Sequence, residues 1–295
     1  MLAGCGLGPG KEREGGASIQ VTRDFGHSLV SDPARITRVH ESDTVLRFLE
    51  KTHKVETAFG GGFVDSIDGV KGDKAGQRDW FYYVNGIEPS LGAADFGLSP
   101  GDRIQWDYRS WKSTMRVPAI VGAYPEPLLH GYRGRRLPVR LQCESEKSTA
   151  CAEVTRRLSD EGVVAASAAL ESQAGKEAVR VLVGRWAALR GLRGAAALER
   201  GPKASGVFAR FEQGGSALRL LDGDGNPVRL APPGTGLVAA TESEGSGIVW
   251  LVTGLDQAGV DRAATQLSEG SLRAAFAVAA EPGATVRLPI RGGGG

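Results

Sequence analysis

The stretch Asp79-Trp80-Phe81-Tyr82-Tyr83-Val84-Asn85-Gly86, continued by Gly97-Leu98-Ser99-Pro100-Gly101-Asp102 and Arg103-Ile104-Gln105-Trp106-Asp107-Tyr108-Arg109-Ser110-Trp111, decides how the chain is read. Side chains alternate along a strand, so Trp80, Tyr82 and Val84 share one face while Phe81 and Tyr83 share the other. Asn85-Gly86 is a turn signal, because both residues tolerate positive φ. Ser99-Pro100-Gly101-Asp102 is a second turn. The strand after it sets Ile104, Trp106 and Tyr108 against Arg103, Gln105, Asp107 and Arg109, the pattern of a half-buried strand. Three of the five tryptophans and three of the five tyrosines fall in this stretch, which makes it the one candidate binding surface of the chain.

Outward from these two strands, Ser18 to Val39 alternates like a hairpin, with Asp24 to Ser28 or Ser31 to Ala34 supplying the turns. Asp43 to Lys51 reads as a helix capped by Ser42 or Asp43, with Val45, Leu46, Phe48 and Leu49 as its buried stripe. Val55 to Ile67 is a further hairpin, interrupted by Gly60-Gly61-Gly62, and Gly69 to Arg78 is a polar loop beside the aromatic segment. No helix carrying Lys and Ser or Thr follows the three glycines, so they are not a P-loop. They read as a turn, or as a loop closing over a ligand. A hairpin, a crossing helix and further strands are the ingredients of a β-grasp fold.

The wording of residues 80–87, Trp-Phe-Tyr-Tyr-Val-Asn-Gly-Ile, and of residues 92–108, Gly-Ala-Ala-Asp-Phe-Gly-Leu-Ser-Pro-Gly-Asp-Arg-Ile-Gln-Trp-Asp-Tyr, resembles the transcobalamin-like C-terminal domain family. The resemblance spans Ile19 to Val121 and implies a small β-grasp-like module. In bacteria such modules occur mostly in secreted and lipid-anchored proteins of unknown role. In the animal vitamin B12 carriers the corresponding domain caps the corrin ring, opposite a larger helical domain with no counterpart here. The resemblance therefore implies the fold more than the ligand, with cobalamin or another corrinoid as the ligand it suggests. Asp-x-His-x-x-Gly, usual where cobalamin is held through a histidine, is absent, so a corrinoid would be held by surface contact.

Leu2-Ala3-Gly4-Cys5 resembles a bacterial lipobox, which implies a lipid on Cys5, with the remainder of residues 1–17 as a flexible tether. Only four residues precede Cys5, too few for the basic start and apolar run of a signal peptide, so this reading takes the start to be misassigned or trimmed. The expected location is the extracellular face of the cytoplasmic membrane in an organism of Gram-positive type, with a transporter or another envelope protein as partner. The net charge of +2, from 36 basic and 34 acidic residues, implies no nucleic acid or other polyanion. No run approaches the roughly 20 apolar residues of a membrane span.

After Met115 to Val121, a proline-punctuated strand, a linker is expected over residues 124–136. The remainder alternates strand and helix: Leu137 to Gln142, Thr149 to Glu161, Val179 to Gly184, Trp186 to Glu199, then Ile248 to Gly254 and Asp256 to Leu267. Val207 to Phe211, Leu218 to Leu221 and Pro227 to Leu230 form a meander between them. The two strand-Gly-helix units hint at an internal repeat. The expected fold class is α+β: a β-grasp-like domain at 18–123, a mixed α/β domain at 137–290 and a glycine tail at 291–295.

Cys143 and Cys151, at a strand end and a helix start, are expected to form a disulfide. The four histidines are scattered, so a zinc site is not indicated. Asp222-Gly223-Asp224-Gly225-Asn226 begins like a calcium loop, but Pro233 stands at the twelfth position, so a hairpin turn is the reading. No Gly-x-Ser-x-Gly, His-Glu-x-x-His or Gly-x-Gly-x-x-Gly signature occurs, and a non-catalytic role is expected. The candidate ligand platform is Trp80, Tyr82, Trp106, Tyr108 and Trp111, with Arg109, Arg103 and Asp107 offering polar contacts. Trp80 and Trp106 are favoured as core residues and Trp111 as the exposed one. The functional expectation is an exported, lipid-anchored binding protein for a small molecule, with a structural or protein-interaction role in the envelope as the alternative.

Overall fold

The computed structural model describes residues 10–291 except 59–61, 173, 174, 176 and 244–246. The lipobox-like cysteine, two of the three consecutive glycines and the final glycine run therefore lie outside the described residues. The architecture is mixed α+β and rich in strands.

The first half contains β1 (Glu12–Arg23), β2 (Ser28–Leu29), β3 (Ala34–His40), α1 (Val45–Thr52), β4 (Val55–Ala58), β5 (Phe63–Ile67), β6 (Val70–Lys71), β7 (Arg78–Val84) and β8 (Arg103–Ser110). Its main sheet runs β2-β1-β8-β7, with β3 also on β1; β4, β5 and β6 make a small antiparallel sheet of their own. The hairpin expected from residue 18 starts earlier, at Glu12, and β1 lies parallel to β8. Asp24, Phe25 and Gly26 turn the chain with positive φ. α1 is capped by Thr44, whose Oγ1 accepts the Arg47 N–H at 3.2 Å, and not by Ser42 or Asp43. The Asp43 carboxylate turns back to accept the His40 N–H at 2.8 Å and pairs with Lys51, which leaves the capping position to Thr44. The helix buries Val45, Leu46, Phe48 and Leu49 against Trp80, Ile104 and Trp106, the apolar face read from the alternation.

The second half contains β9 (Val139–Cys143), α2 (Thr149–Asp160), β10 (Ala165–Ser167), β11 (Val179–Arg185), α3 (Trp186–Leu189), α4 (Pro202–Ser205), β12 (Ala209–Phe211), β13 (Leu218–Leu221), β14 (Pro227–Leu230), β15 (Gly236–Ser243), β16 (Gly247–Gly254), α5 (Gln257–Thr265), α6 (Glu269–Leu272), β17 (Ala277–Glu281) and β18 (Ala284–Leu288). Seven strands form one sheet, β10-β9-β11-β16-β15-β17-β18, parallel from β10 to β16 and antiparallel beyond. Alternation splits its residues between two cores. Val181, Trp250 and Val252 face α2 and α5, whereas Leu182, Val249 and Leu251 face Trp186, Phe211 and the β12-β13-β14 meander. The helices after β11 and β16 thus cover opposite faces, so the two strand-Gly-helix units are not structural repeats. The helix expected over Trp186–Glu199 stops after one turn and resumes as a 3₁₀ segment at Ala195–Arg200, because Gly194 takes φ 97°, outside the helical range. Cys143 and Cys151 are joined by a disulfide that ties the end of β9 to the first turn of α2. Asp222 closes the β13–β14 turn by accepting the N–H groups of Asp224 and Asn226 at 2.9 and 2.8 Å, so its carboxylate is spent on the hairpin.

Two expectations about exposure are corrected. β8 is buried on both faces: Gln105, Asp107 and Arg109 are as enclosed as Ile104 and Trp106. Residues 117–128 are packed and not extended, with Ala119, Val121, Tyr124 and Leu128 joining the core beneath α2 and α5. The same cause underlies both: the second half of the molecule lies on the polar face of the first sheet. Gln105 donates to the carbonyl of Ala274 at 3.0 Å, and Phe25, Tyr83, Ile120, Phe208 and Phe276 form a core shared between the halves. No helix among the described residues is long and apolar enough to cross a membrane.

Candidate functional site

β7 is the last strand of its sheet, and its outer side, bridged at Arg78 by Asp73 and at Val84 by Ile87, opens between these bridges onto a cleft of about 200 Å³. Trp80, Tyr82 and Trp106 line it from the sheet. Gly62, Phe63 and Val64 from the start of β5 and Glu88, Pro89, Gly92 and Ala93 from the loop after β7 complete the walls. The Asn85-Gly86 turn brings that loop back: Asn85 and Gly86 have φ of 54° and 75°, and Val84 and Ile87 exchange backbone hydrogen bonds across them. Gly86 cannot be replaced without strain, since a Cβ there would stand 2.6 Å from the Ile120 carbonyl oxygen.

The aromatic walls are fixed. The Trp80 indole N–H donates to the Val70 carbonyl at 2.8 Å, and the Tyr82 hydroxyl to the Leu91 carbonyl at 2.6 Å. Tyr82 stacks on Trp106 with centroids 5.0 Å apart and meets Phe96 edge-on. Burial pushes the Tyr82 phenol above its usual range, so it stays a neutral donor. Trp106 is 2% exposed, and its indole N–H has no hydrogen-bond partner among the described residues. An unmet buried donor costs roughly 1–3 kcal/mol, so it calls for a partner or a reason. Phe63, in the cleft wall, is exposed, and so is Leu91, which precedes the lining residue Gly92.

Among the described residues, one carboxylate lines the cleft. Glu88 accepts the Val117 N–H at 2.7 Å through Oε2, while Oε1 lies 4.0 Å from the Arg109 guanidinium. Burial raises its pKa, opposed by Arg109 and the Val117 hydrogen bond.

Of the residues singled out by sequence, the structure gathers Trp80, Tyr82 and Trp106 at this cleft and disperses the others. Tyr108 packs on Trp80 on the same face, under the Arg78 guanidinium at 5.1 Å, but does not line the opening. Trp111 is half-buried beyond the end of β8, its N–H on the Gln77 carbonyl at 2.8 Å, and it is not at the cleft. Arg109 points to the opposite face and is fully buried. Its guanidinium lies 3.6 Å from the Phe81 centroid and donates to the Ser110, Thr114 and Met115 carbonyls. Arg103 bonds the Tyr124 carbonyl and Glu269, and Asp107 accepts from Thr22, Phe25 and Gly26; both lie on that opposite face too. Phe63, Glu88, Pro89 and Gly92 were not foreseen. The glycines preceding Phe63 and the turn preceding Glu88 were the available signals. Among the described residues no three His, Cys, Asp or Glu side chains come together in a metal-binding group.

Residues 42–110 match a family described as "Domain of unknown function (DUF4430)", less than a quarter of the chain. A protein from Ruminococcus gnavus ATCC 29149, described as a candidate metal-binding protein, is similar over 33% of this chain and 98% of its own, at 17% identity and a TM-score of 0.26. Haptocorrin in complex with Cbi is similar over 33% of this chain and 26% of its own, at 14% identity and the same TM-score of 0.26. Likeness at that level says nothing about a ligand. No curated protein matches the chain.

Proposed function

We propose that this chain is a non-catalytic, exported and lipid-anchored binding protein. Its first half is a β-grasp-like module offering a small-molecule site at the aromatic cleft beside β7. The observation that carries the small-molecule reading is the cleft itself: a preformed, mainly apolar hollow with Trp80, Tyr82 and Trp106 in its walls. Its volume of about 200 Å³ limits the group that can be inserted. An engineered cavity of roughly 150 Å³ takes a benzene ring, so this cleft admits a one- or two-ring group and not a corrin. A corrinoid, the ligand suggested by the sequence resemblance, would lie across the mouth on Phe63 and Leu91 with one substituent inserted. Anchoring would come from a lipid on Cys5, and the bound molecule would pass to a transporter.

Tryptophan fluorescence of the chain, titrated with cobinamide, cobalamin and small aromatic compounds under inner-filter control, tests the reading. The expected result is saturable quenching weakened about tenfold by Phe63→Ala, with circular dichroism unchanged. Flat titrations throughout would remove the small-molecule site. They would favour the second reading, a protein-interaction role in the envelope, for which the exposed side chains of Phe63 and Leu91 are the supporting observation.

A further inference from the structure

A second cavity, of about 90 Å³, lies away from the aromatic cleft, where the polar face of the first sheet meets α6 and the turn after it. Strand register builds its floor. Ser18 of β1 pairs with Arg35 of β3 on one side and with Arg103 of β8 on the other, so the three residues form one row with side chains on the same face. A small serine between two arginines leaves a hollow bordered by guanidinium groups. Arg273, just after α6, closes it from the other half of the molecule. Arg103 is held in place by the Tyr124 carbonyl at 3.1 Å and by Glu269, the only carboxylate at the cavity. Among the described residues, Arg35 and Arg273 have no carboxylate partner. The uncompensated charge of Arg273 is felt further off: behind the effect of burial, it helps to hold the Arg287 guanidinium below its usual range.

We propose that this cavity binds a compact, multiply charged oxyanion of the phosphate class, held by Arg35 and Arg103 on the sheet and by Arg273 opposite. Glu269 offsets one of the three guanidinium charges around this space, and the excess left on Arg35 and Arg273 favours a bound anion. Their planar forks match a phosphate group better than a point charge would. The volume is enough for several waters, hence for one tetrahedral oxyanion but not for a sugar or a corrin ring. The remainder of a monoester would project through the mouth. Since floor and lid come from different halves of the chain, the anion would also clamp the halves together. This site is independent of the aromatic cleft and of the reading given to it.

Calorimetric titration of the full chain with inorganic phosphate, at ionic strength held constant with sodium chloride, tests the proposal, with phenyl phosphate and succinate as further arms. The expected result is saturable phosphate binding, weakened at least tenfold by Arg35→Ala and by Arg273→Ala, whose exposed side chains can be removed without disturbing the core. Glu269→Gln should tighten binding severalfold by freeing Arg103, a gain that damage to the fold would not produce. Phenyl phosphate binding as phosphate does would mark a monoester site, and its exclusion would mark a site for the free ion; both support the proposal. No saturable heat with phosphate, binding indifferent to Arg35→Ala and Arg273→Ala, or succinate binding as tightly as phosphate would each overturn it.

Discussion

Asn85 and Asp102 join the two turns that frame the aromatic strands. The Asn85 side chain accepts the Arg103 N–H at 2.8 Å and donates to Asp102 and to the Gly131 carbonyl at 3.0 and 2.8 Å. Asp102 in turn accepts the Ser99 N–H at 2.8 Å. Burial pushes the Asp102 carboxyl up to about 6, against these hydrogen bonds, which pull it down. The folded protein therefore holds this proton more tightly than the unfolded chain, whose value is 3.8. Stability from this group is complete below pH 3.8 and is lost as pH rises through about 6. Asp102→Asn should flatten the fall in stability between pH 4 and 6.5 by about 2 kcal/mol. Urea midpoints of both proteins at the two pH values check it, and parallel slopes would refute it. The turn residues themselves were legible in the sequence, because positive φ narrows the choice to Asn and Gly. The burial of Asp102 was not, because it depends on where residues 124–132 come to lie.

At the scale of elements, β8 shows what a strand pattern can and cannot say. The alternation correctly assigned Trp106 and Tyr108 to one face, and the structure packs that face on α1. The opposite face is polar by composition yet enclosed, because each polar side chain there has a partner. Gln20 bonds Gln105 at 3.1 Å, Thr22 bonds Asp107 at 2.6 Å, and Arg109 reaches three carbonyls. Buried polar groups are tolerated only when satisfied in this way. Backbone approaches very closely here: a Cβ on Gly26 would stand 1.8 Å from the Ala274 carbonyl oxygen, at a residue with φ of 79°. Gly26→Ala should therefore cost at least about 2 kcal/mol, from strain and from separation of the β1–β2 turn from the segment after α6. Chemical denaturation checks it, and a variant as stable as the parent would show that this contact is not close in solution. The broken helix at 186–199 has a related lesson. Its apolar spacing is helical, but Gly194, with φ of 97°, lets the chain turn away.

For the whole molecule, the core shared by Phe25, Tyr83, Ile120, Phe208 and Phe276 means that neither half is complete alone. One calorimetric transition is expected, with equal calorimetric and van't Hoff enthalpies. Two resolved endotherms would show that the halves unfold separately. Local sequence specified the strands of the aromatic stretch, their turns, α1, the meander and the disulfide pair, and it put Trp80, Tyr82 and Trp106 on one face. Each depends on side-chain periodicity, on φ preference or on residues close along the chain. Packing between distant segments set the rest: the polar face of β8 is interior, Arg109 and Trp111 lie away from the cleft, Glu88 and Phe63 belong to it, and Arg35, Arg103 and Arg273 surround one cavity. Those outcomes rest on contacts between residues far apart in sequence, chosen by the docking of one half on the other, and no local pattern encodes that.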